Sequence, residues 1–251
     1  MPQDLILETR DLSKDFGALR AVSHVDLQVP RGRVHSIIGP NGAGKTTLFN
    51  VVAGIYAPST GQVLFKGEDI TGLSPEATNW KGIAKTFQIT KIFSELTVLE
   101  NVETACQSRS PETGRLRSLW TPPNAGDRAM DLLKLFRLDG RLDEHAGNLS
   151  HGEQRYLDIC LALATDPELL LLDEPTAGMT PAETREATEL ILNVVRRKGL
   201  TLLLIEHDMS VVIGISEVVT VLHQGEKIAE GPPDTVRADP RVIEAYLGGE
   251  L

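Results

Sequence analysis

The chain has 251 residues and a formal net charge of −10, with 41% hydrophobic, 24% charged and 4% aromatic residues, the composition of an ordinary globular protein of one large domain or one domain with an insert. Two cysteines are too few for a disulfide scaffold, and no apolar run is long enough to span a membrane. The N-terminus has no secretory pattern, and an acidic chain with few aromatic residues is unlike a nucleic-acid binder.

The first quarter of the chain is predicted to form short β-strands, because its apolar stretches are separated by glycine, proline and charged turn residues. The candidate strands are residues 5–9, 22–29, 34–38 and 62–65. One helix is predicted among them. It begins at Lys45, has apolar residues at helical spacing up to Val52, and is followed by Gly54, where a helix commonly ends.

The middle of the chain, from Val98 to about Thr165, has the apolar spacing of helices, interrupted by a predicted exposed loop over 108–127 with three prolines. Beyond Glu168, the strings LLLLDE and TLLLIEH are continuous apolar runs, typical of strands buried on both faces of a parallel sheet. A helix over 181–198, a hairpin with its turn at 223–225 and a closing helix complete the pattern. We therefore predict one parallel sheet built from the two outer parts of the chain, with a helical insert at its side.

A phosphate-binding motif occupies residues 39–46, GPNGAGKT, which match G-x-x-x-x-G-K-[ST]. The motif lies between a predicted strand and a predicted helix, the context that it requires. Its glycines let backbone N–H groups approach phosphate oxygens, and the helix N-terminus adds partial positive charge. Lys45 is expected to reach the β and γ phosphates, and the Thr46 hydroxyl to bind Mg²⁺.

Two acids, Asp173 and Glu174, end the run LLLLDE. This places them at the carboxyl edge of a buried strand, where open α/β sheets bind ligands. Asp173 is the candidate Mg²⁺ ligand, through water, and Glu174 the candidate base for an attacking water. The alternative is a solvated turn. His207 ends a second strand and either contacts the γ-phosphate or serves only as a cap or packing residue. The other histidines show no ligand spacing, and two cysteines give no support to a structural zinc site.

Five motifs in order resemble the ATPases of ABC transporters. They are GPNGAGKT, TFQ at 86–88, LSHGEQ at 149–154, LLLLDE and IEH at 205–207, and the resemblance covers nearly the whole chain. It implies an α/β fold, a P-loop ABC ATPase cassette with a RecA-like parallel-sheet core, an N-terminal antiparallel β subdomain and a helical insert subdomain. The single domain would span 1–251, with its core at about 1–88 and 166–251 and its helical subdomain at about 89–165.

The resemblance also implies site residues. Phe16 falls where an aromatic ring stacks on adenine. The triphosphate is held by Gly39, Pro40, Asn41, Gly42, Ala43, Gly44, Lys45, Thr46 and Thr47. Glu174 is the general base and His207 the switch histidine. Gln88 joins the core to the insert and contacts Mg²⁺ and the attacking water, so the metal site comprises Thr46, Gln88 and Asp173.

In this family two subunits pair head to tail. The signature residues Ser150, His151, Gly152 and Glu153 of one subunit then face the nucleotide of the other. Ser150 is also a good N-cap, and Gly152 allows close backbone approach to phosphate. Three positions depart from the commonest pattern. His151 replaces Gly, Glu153 replaces Gln, and Thr180 replaces an Asp that crosses the dimer interface. Because Ser150 and Gly152 are retained, we expect catalysis to survive, and the change at Thr180 to affect the interface contact.

Within the family, GIAKTFQITKIFSELTVLENV and the tail EGPPDTVRADPRVIEAYLGGE are similar to ATPase subunits of bacterial branched-chain amino-acid importers. This implies ATP and Mg²⁺ as cofactors, permease subunits and a second ATPase as partners, and a periplasmic binding protein indirectly. It implies no nucleic acid, and a peripheral position on the cytoplasmic face of the inner membrane. The predicted permease contact is the apolar segment of Ile89, Ile92, Phe93, Leu96, Val98 and Leu99, whose alternative role is packing in the insert's own core.

Several alternatives stay open. Related ABC systems take up urea or amides or export lipopolysaccharide, and soluble ABC ATPases act in DNA repair or translation. A single cassette with a short insert argues against the soluble class. The sequence contains no NKxD guanine-reading string, which disfavours a GTPase, and a small-molecule kinase does not need LSHGEQ.

Overall fold

The structure is a computed structural model that describes residues 4–86, 90–108 and 125–247. An antiparallel sheet has the strand order β2-β1-β4-β5, formed by β1 (Leu5–Phe16), β2 (Leu19–Pro30), β4 (Thr60–Phe65) and β5 (Glu68–Asp69). The first two strands are longer than the sequence predicts. Charged residues after Arg10 continue the pairing, with Lys14 opposite Val22 and Asp15 opposite Arg20, and bulges absorb the irregular register.

A second sheet has the strand order β10-β9-β3-β8-β7-β6. Its strands are β3 (Val34–Ile38), β6 (Ile83–Lys85), β7 (Leu169–Asp173), β8 (Thr201–Ile205), β9 (Val218–His223) and β10 (Glu226–Gly231). Neighbouring strands are parallel except at the edge, where β10 is antiparallel to β9. The predicted parallel-sheet core is confirmed, and so is the predicted hairpin at its edge, where the turn at Gln224–Gly225 reverses the chain beside β9.

The run of four leucines in β7 contributes to two cores. Leu169 and Leu171 belong to a cluster that lies between the two sheets. Leu170 and Leu172 belong to a cluster on the opposite face of the second sheet. Because side chains alternate across a strand, a continuous apolar run is what a strand covered on both faces requires.

The helices cover both faces of the second sheet. Helix α1 (Lys45–Val52) packs between the sheets. The opposite face is covered by α3 (Val98–Ser108), α4 (Ala125–Leu135), α5 (His151–Ala164) and α6 (Pro181–Lys198). The remaining helices are α2 (Pro75–Lys81), α7 (Met209–Ile215), α8 (Pro233–Arg237), α9 (Pro240–Leu247) and a 3₁₀ turn at Ala146–Asn148. Helices α1 and α6 have the predicted bounds.

Two helices extend into the predicted loop 108–127, since Ser108 ends α3 and α4 begins at Ala125. Residues 109–124 lie outside the described residues, and the division into core and helical subdomain stays a prediction. Among the helices that the structure describes, none is long and apolar enough to cross a membrane.

Parallel strands bring the predicted site residues to one edge. β3 pairs with β8, and β8 pairs with β7 so that Asp173 lies opposite Ile205. The segments that follow these three strands, namely the phosphate-binding motif, Glu174 and His207, therefore emerge side by side at the carboxyl edge of the sheet.

Candidate active site

The loop that follows β3 is held tightly against two neighbouring strands. A Cβ at Gly39, where φ is 148°, would lie 2.0 Å from the carbonyl oxygen of Leu222, and one at Gly44, where φ is 96°, would lie 2.2 Å from that of Ala21. Side chains are thus excluded at both positions by backbone that cannot yield. Gly42, in contrast, has open space around it, so the middle of the loop is free to receive a ligand.

Lys45 lies beneath this loop. Its buried ammonium donates hydrogen bonds to the carbonyl oxygens of Gly39 (2.7 Å) and Pro40 (2.9 Å). Burial lowers the pKa of Lys45, and the charges of Glu174 and Asp173 oppose that shift. The sequence predicts only a phosphate contact for this side chain. The structure adds a role in the loop itself, because the ammonium satisfies two carbonyl groups that converge on it.

Asp173 is fully buried at the end of β7. Neither of its carboxylate oxygens accepts a close hydrogen bond from a residue in the described part of the chain, and the ammonium of Lys85 lies 3.5 Å from Oδ2. Burial raises the pKa of Asp173, the Lys85 charge opposes this rise, and repulsion from Glu174 adds to it. The Thr46 hydroxyl also lowers that pKa and is therefore a neighbour of the carboxyl group. A hydroxyl beside an unsatisfied buried carboxylate is a donor set that suits Mg²⁺.

Glu174 and His207 are in direct contact. Nε2 of His207 lies 2.6 Å from Oε1 of Glu174. Glu174 has left-handed backbone geometry with φ of 50°, and its N–H donates to the Ile205 carbonyl at 2.9 Å. An acidic residue held in this sparsely populated conformation is characteristic of functional sites. The structure thus brings the predicted base and the predicted switch histidine into contact.

Arg155 supports both acids from behind, a role that sequence reasoning missed. Its buried guanidinium donates from Nη2 to the backbone carbonyls of Asp173 (2.6 Å) and Glu174 (2.8 Å). The sequence shows only a basic residue within a helix, since its partners are distant along the chain. Helix α5, whose N-terminus carries the LSHGEQ string, is thereby attached to the strand end that carries the acids.

The groove beside these groups has a volume of about 540 Å³. Its walls include Phe16, Tyr56 and the loop residues from Asn41 to Thr47, together with Glu174 and His207. The rings of Phe16 and Tyr56 meet edge to face with centroids 5.3 Å apart. Phe16, the predicted adenine contact, therefore lines the groove, and Tyr56 is a second aromatic residue of its wall that was not predicted. Gln88, the third predicted catalytic residue, lies outside the described residues.

Comparison with known proteins agrees with this geometry. Residues 22–177 match the family model described as "ABC transporter". The chain belongs to the ABC transporter ATPase family. Its last segment, 226–251, matches the model described as "Branched-chain amino acid ATP-binding cassette transporter". The family implies ATP binding and hydrolysis, and the predicted family and fold class are confirmed.

The match to individual ABC ATPases extends along the whole chain. It is 41% identical to the high-affinity branched-chain amino acid transport ATP-binding protein LivG of Escherichia coli (strain K12), with 97% of this chain and 98% of that protein covered. The structure is similar to the ADP conformation of an ATP-binding cassette of an ABC transporter, with 35% identity, a TM-score of 0.85, and 97% of this chain and 99% of that chain covered. It is also similar to a dimeric post-hydrolysis ATP-binding cassette bound to ADP and Pi, with 26% identity, a TM-score of 0.76, and 90% and 98% covered.

The ABC signature lies at the exposed N-terminus of α5, away from the groove. Ser150 caps the helix in a capping box. Its N–H and Oγ donate to Oε2 of Glu153 at 2.9 and 2.7 Å, and its Oγ accepts from the Glu153 N–H at 3.3 Å. None of Ser150, His151, Gly152 and Glu153 lines the nucleotide groove of its own chain as described. Thr180 likewise caps α6, with Glu183 completing the box, so two of the three departures from the family pattern, Glu153 and Thr180, take part in capping boxes.

Proposed function

We propose that this chain is the ATP-binding, ATP-hydrolysing subunit of a bacterial importer for branched-chain or other hydrophobic amino acids. The observation that carries the proposal is the 41% identity to LivG over 97% of the chain, together with the match of the tail 226–251 to the branched-chain family model. These matches favour the amino-acid importer over urea, amide or lipopolysaccharide systems and over a soluble non-transport ABC ATPase.

ATP binds in the groove between the two aromatic rings and the loop 39–47. The base packs against Phe16, with Tyr56 completing the wall, because aromatic faces stack on heterocycles. The triphosphate is held by backbone N–H groups and by the α1 N-terminus, whose partial positive charge favours an anion. The ammonium of Lys45 exchanges its bonds with the loop carbonyls for phosphate oxygens, and the negative charges of Glu174 and Asp173 oppose the lowering of its pKa by burial.

The Thr46 hydroxyl and Asp173, the latter through water, would hold Mg²⁺, with Gln88 as the further ligand that the family resemblance implies. The support is the buried Asp173 carboxylate, whose oxygens accept no close hydrogen bond from the described residues although the Lys85 ammonium lies 3.5 Å away. When bound, Mg²⁺ neutralises charge on the β and γ phosphates. No cluster of three or more His, Cys, Asp or Glu in the described ranges has a metal-binding arrangement. A site made of one carboxylate, one hydroxyl and phosphate oxygens does not require such a cluster.

Hydrolysis is an in-line attack of water on the γ-phosphorus. The Glu174 carboxylate accepts a proton from the water as its oxygen bonds to phosphorus, and the bond to the β–γ bridging oxygen breaks, giving ADP and inorganic phosphate. His207 orients Glu174 through the 2.6 Å contact and lies close enough to the groove to contact the γ-phosphate. Arg155 keeps the backbone of both acids fixed during this step.

Two ATPase subunits, identical or different, pair head to tail around ATP. Ser150 and Gly152 lie at the exposed start of α5, where the helix N-terminus can face the γ-phosphate of a partner. The intrachain bond from Ser150 Oγ to Glu153 is broken when the hydroxyl turns to that phosphate. Support comes from the similarity to a dimeric cassette.

The partner in the membrane is a pair of permease subunits, which places the chain peripherally on the cytoplasmic face of the inner membrane. Phe93 is 57% exposed, whereas Val98 is buried, and Ile92, Leu96 and Leu99 are partly buried. Buried Asn101 fixes the segment, because its amide donates to the Phe93 carbonyl (3.0 Å) and its Oδ1 accepts from the Phe93 N–H (2.9 Å). Phe93 is thus an apolar ring on a firmly held turn, suited to receive a cytoplasmic permease helix.

Reconstitution tests this function. The chain is co-expressed with the permeases and binding protein encoded beside it, and the purified complex is inserted into liposomes. We expect Mg·ATP to drive uptake of labelled leucine and leucine to stimulate ATPase activity. Stimulation of the ATPase activity by urea or short amides, without a response to leucine, would reject the amino-acid substrate but keep the assignment as an importer. Recovery of the chain without any membrane protein would reject the importer.

A further inference from the structure

Glu206 is a buried carboxylate beside the proposed base, and the mechanism above does not use it. Its side chain is only 4% exposed. Oε1 accepts hydrogen bonds from the Thr176 hydroxyl at 2.7 Å and the Thr176 N–H at 3.3 Å. Oε2 accepts from the N–H of His207 at 3.2 Å. A buried acid that meets three donors is held by specific contacts on both of its oxygens.

These contacts form part of a closed ring of residues that includes the proposed base, Glu174. Thr176 follows Glu174 in the turn after β7, and His207 directly follows Glu206 after β8. The other side of the ring is the 2.6 Å contact between His207 and Glu174. Backbone contacts also join the two segments, through the pairing of Asp173 with Ile205 and the bond from the Glu174 N–H to the Ile205 carbonyl. Glu206 adds a second side-chain link beside the contact between His207 and Glu174.

We propose that Glu206 is a positioning residue for ATP hydrolysis, which holds the turn at Thr176 and the backbone of His207 so that His207 meets Glu174 at a fixed distance. The inference rests on the roles proposed above for Glu174 and His207. Glu206 does not line the groove and acts without touching the nucleotide. Its effect is therefore expected in the chemical step and not in ATP binding.

The ring requires a group that only accepts hydrogen bonds. A carboxylate satisfies donors on both oxygens, whereas an amide of the same shape has one oxygen and one NH₂ group. In Glu206→Gln, the NH₂ group must face either the His207 N–H or the Thr176 N–H, so one arm of the ring opens. The side-chain volume is unchanged, and the neighbouring apolar residues keep their packing.

The test measures kcat, the KM for ATP and the melting temperature in parallel. We expect Glu206→Gln to lower kcat by about 10- to 100-fold, the cost of misplacing a catalytic group by about an ångström, with an unchanged KM. Thr176→Val, which removes one donor of the ring, should lower kcat in the same way. The Thr176→Val variant therefore tests the proposal even if Glu206→Gln does not fold.

A second buried threonine close to Glu206 provides a matched control. Thr188→Val makes the same chemical change at a buried threonine that lines the pocket with Thr176 and Glu206, but its hydroxyl donates within α6 to the Thr184 carbonyl at 2.6 Å. This variant should lower the melting temperature alone. Equal losses of kcat in Thr188→Val and Thr176→Val would overturn the proposal, because a general loss of packing would then account for both.

Two further variants separate this inference from the proposed function. In a His207→Ala background, Glu206→Gln should lower kcat little further, since the link then has nothing to position, and full additivity would overturn the proposal. Loss of turnover in Glu174→Gln with normal turnover in Glu206→Gln would overturn this inference alone. Normal turnover in Glu174→Gln would overturn the proposed base and this inference with it.

Discussion

Glu174→Gln separates nucleotide binding from chemistry. The amide keeps the shape of the side chain, and its oxygen can still meet Nε2 of His207, as Oε1 of Glu174 does at 2.6 Å. The groups proposed to hold ATP are untouched, since Lys45 and Thr46 lie at the start of α1. The variant should therefore bind ATP with the affinity of the wild-type chain.

The rate should fall by about 10²- to 10⁴-fold, the range for losing a positioned general base. That loss corresponds to about 3–5 kcal/mol of transition-state stabilisation. Since the γ-phosphate then stays in place, it continues to join the phosphate-binding loop of one subunit to Ser150 of the other. The variant should accumulate as an ATP-dependent dimer, and the wild-type chain should be mostly monomeric because hydrolysis removes that link.

The assays are phosphate release and size-exclusion chromatography, each with and without Mg·ATP. Glu189→Gln, the same chemical change on the exposed side of α6, is the control and should behave as wild type in both. A Glu174→Gln chain that hydrolyses ATP normally refutes the base assignment. An inactive but monomeric variant would leave the assignment of Glu174 as the base intact and would count instead against a homodimeric sandwich. The first explanations to test would then be the departures at His151 and Thr180, or a need for a different partner ATPase.

Three further predictions concern the groove and the permease contact. Lys45→Ala should abolish ATP binding in a fluorescent-nucleotide titration and also reduce the free energy of unfolding by about 1–3 kcal/mol, because two loop carbonyls lose a charged donor; unchanged stability would contradict the contacts seen here. Tyr56→Ala should raise the KM for ATP several-fold at constant kcat. An effect on kcat alone would show that Tyr56 does not contact the adenine ring. Phe93→Asp should lower transport far more than basal ATPase activity and leave the melting temperature unchanged, since the ring is exposed; a parallel loss of all three would favour a core role.

Sequence patterns predicted those parts of the fold whose causes are local. The bounds of β3 and α6 followed from an apolar run and from end signals, with Pro181 at the first turn of α6 and Gly199 after its end. The phosphate-binding loop was recognisable because its glycines and lysine recur at fixed spacing. For the same reason, the two acids at the end of β7, Asp173 and Glu174, could be placed at the sheet edge from the sequence alone.

Contacts between distant segments could not be predicted in this way. Arg155, Glu206 and Asn101 are buried polar residues whose partners are set by how the elements pack, and a single sequence gives no signal for such pairings. The extension of β1 through its charged half was missed for a related reason, because the cross-strand partners that support it lie on β2 and β4. Lys45 was correctly placed near phosphate, but its bonds to Gly39 and Pro40 depend on how the loop folds back over it.

His35 should make the stability of the fold depend on pH in a defined window. It lies buried in β3, with Nε2 2.8 Å from the Thr220 hydroxyl, which itself donates to Glu230 Oε2 at 2.9 Å. Since that hydroxyl has a single proton, it must accept from His35, so the imidazole carries its proton on Nε2.

Its Nδ1 is buried and meets no hydrogen-bond partner in the described residues, and protonation there would leave a buried charge without an acceptor. Burial, with a smaller contribution from Lys227, accordingly lowers the pKa of His35 from 6.5 to about 4.

Between these two pKa values the unfolded chain binds more protons than the folded chain, so stability is retained above about pH 6.5 and falls as the pH decreases towards about 4, by about 3 kcal/mol in total. His35→Gln keeps a donor for Thr220 and cannot be protonated. Urea unfolding of both chains between about pH 7 and pH 4.5 should therefore give a difference that grows as the pH falls. The carboxylates that titrate in the same range are common to the two proteins and cancel in that difference. Parallel stability curves, or a His35 proton resonance that titrates near its ordinary pKa, would show that the imidazole is solvated and that the buried pairing in β3 is wrong.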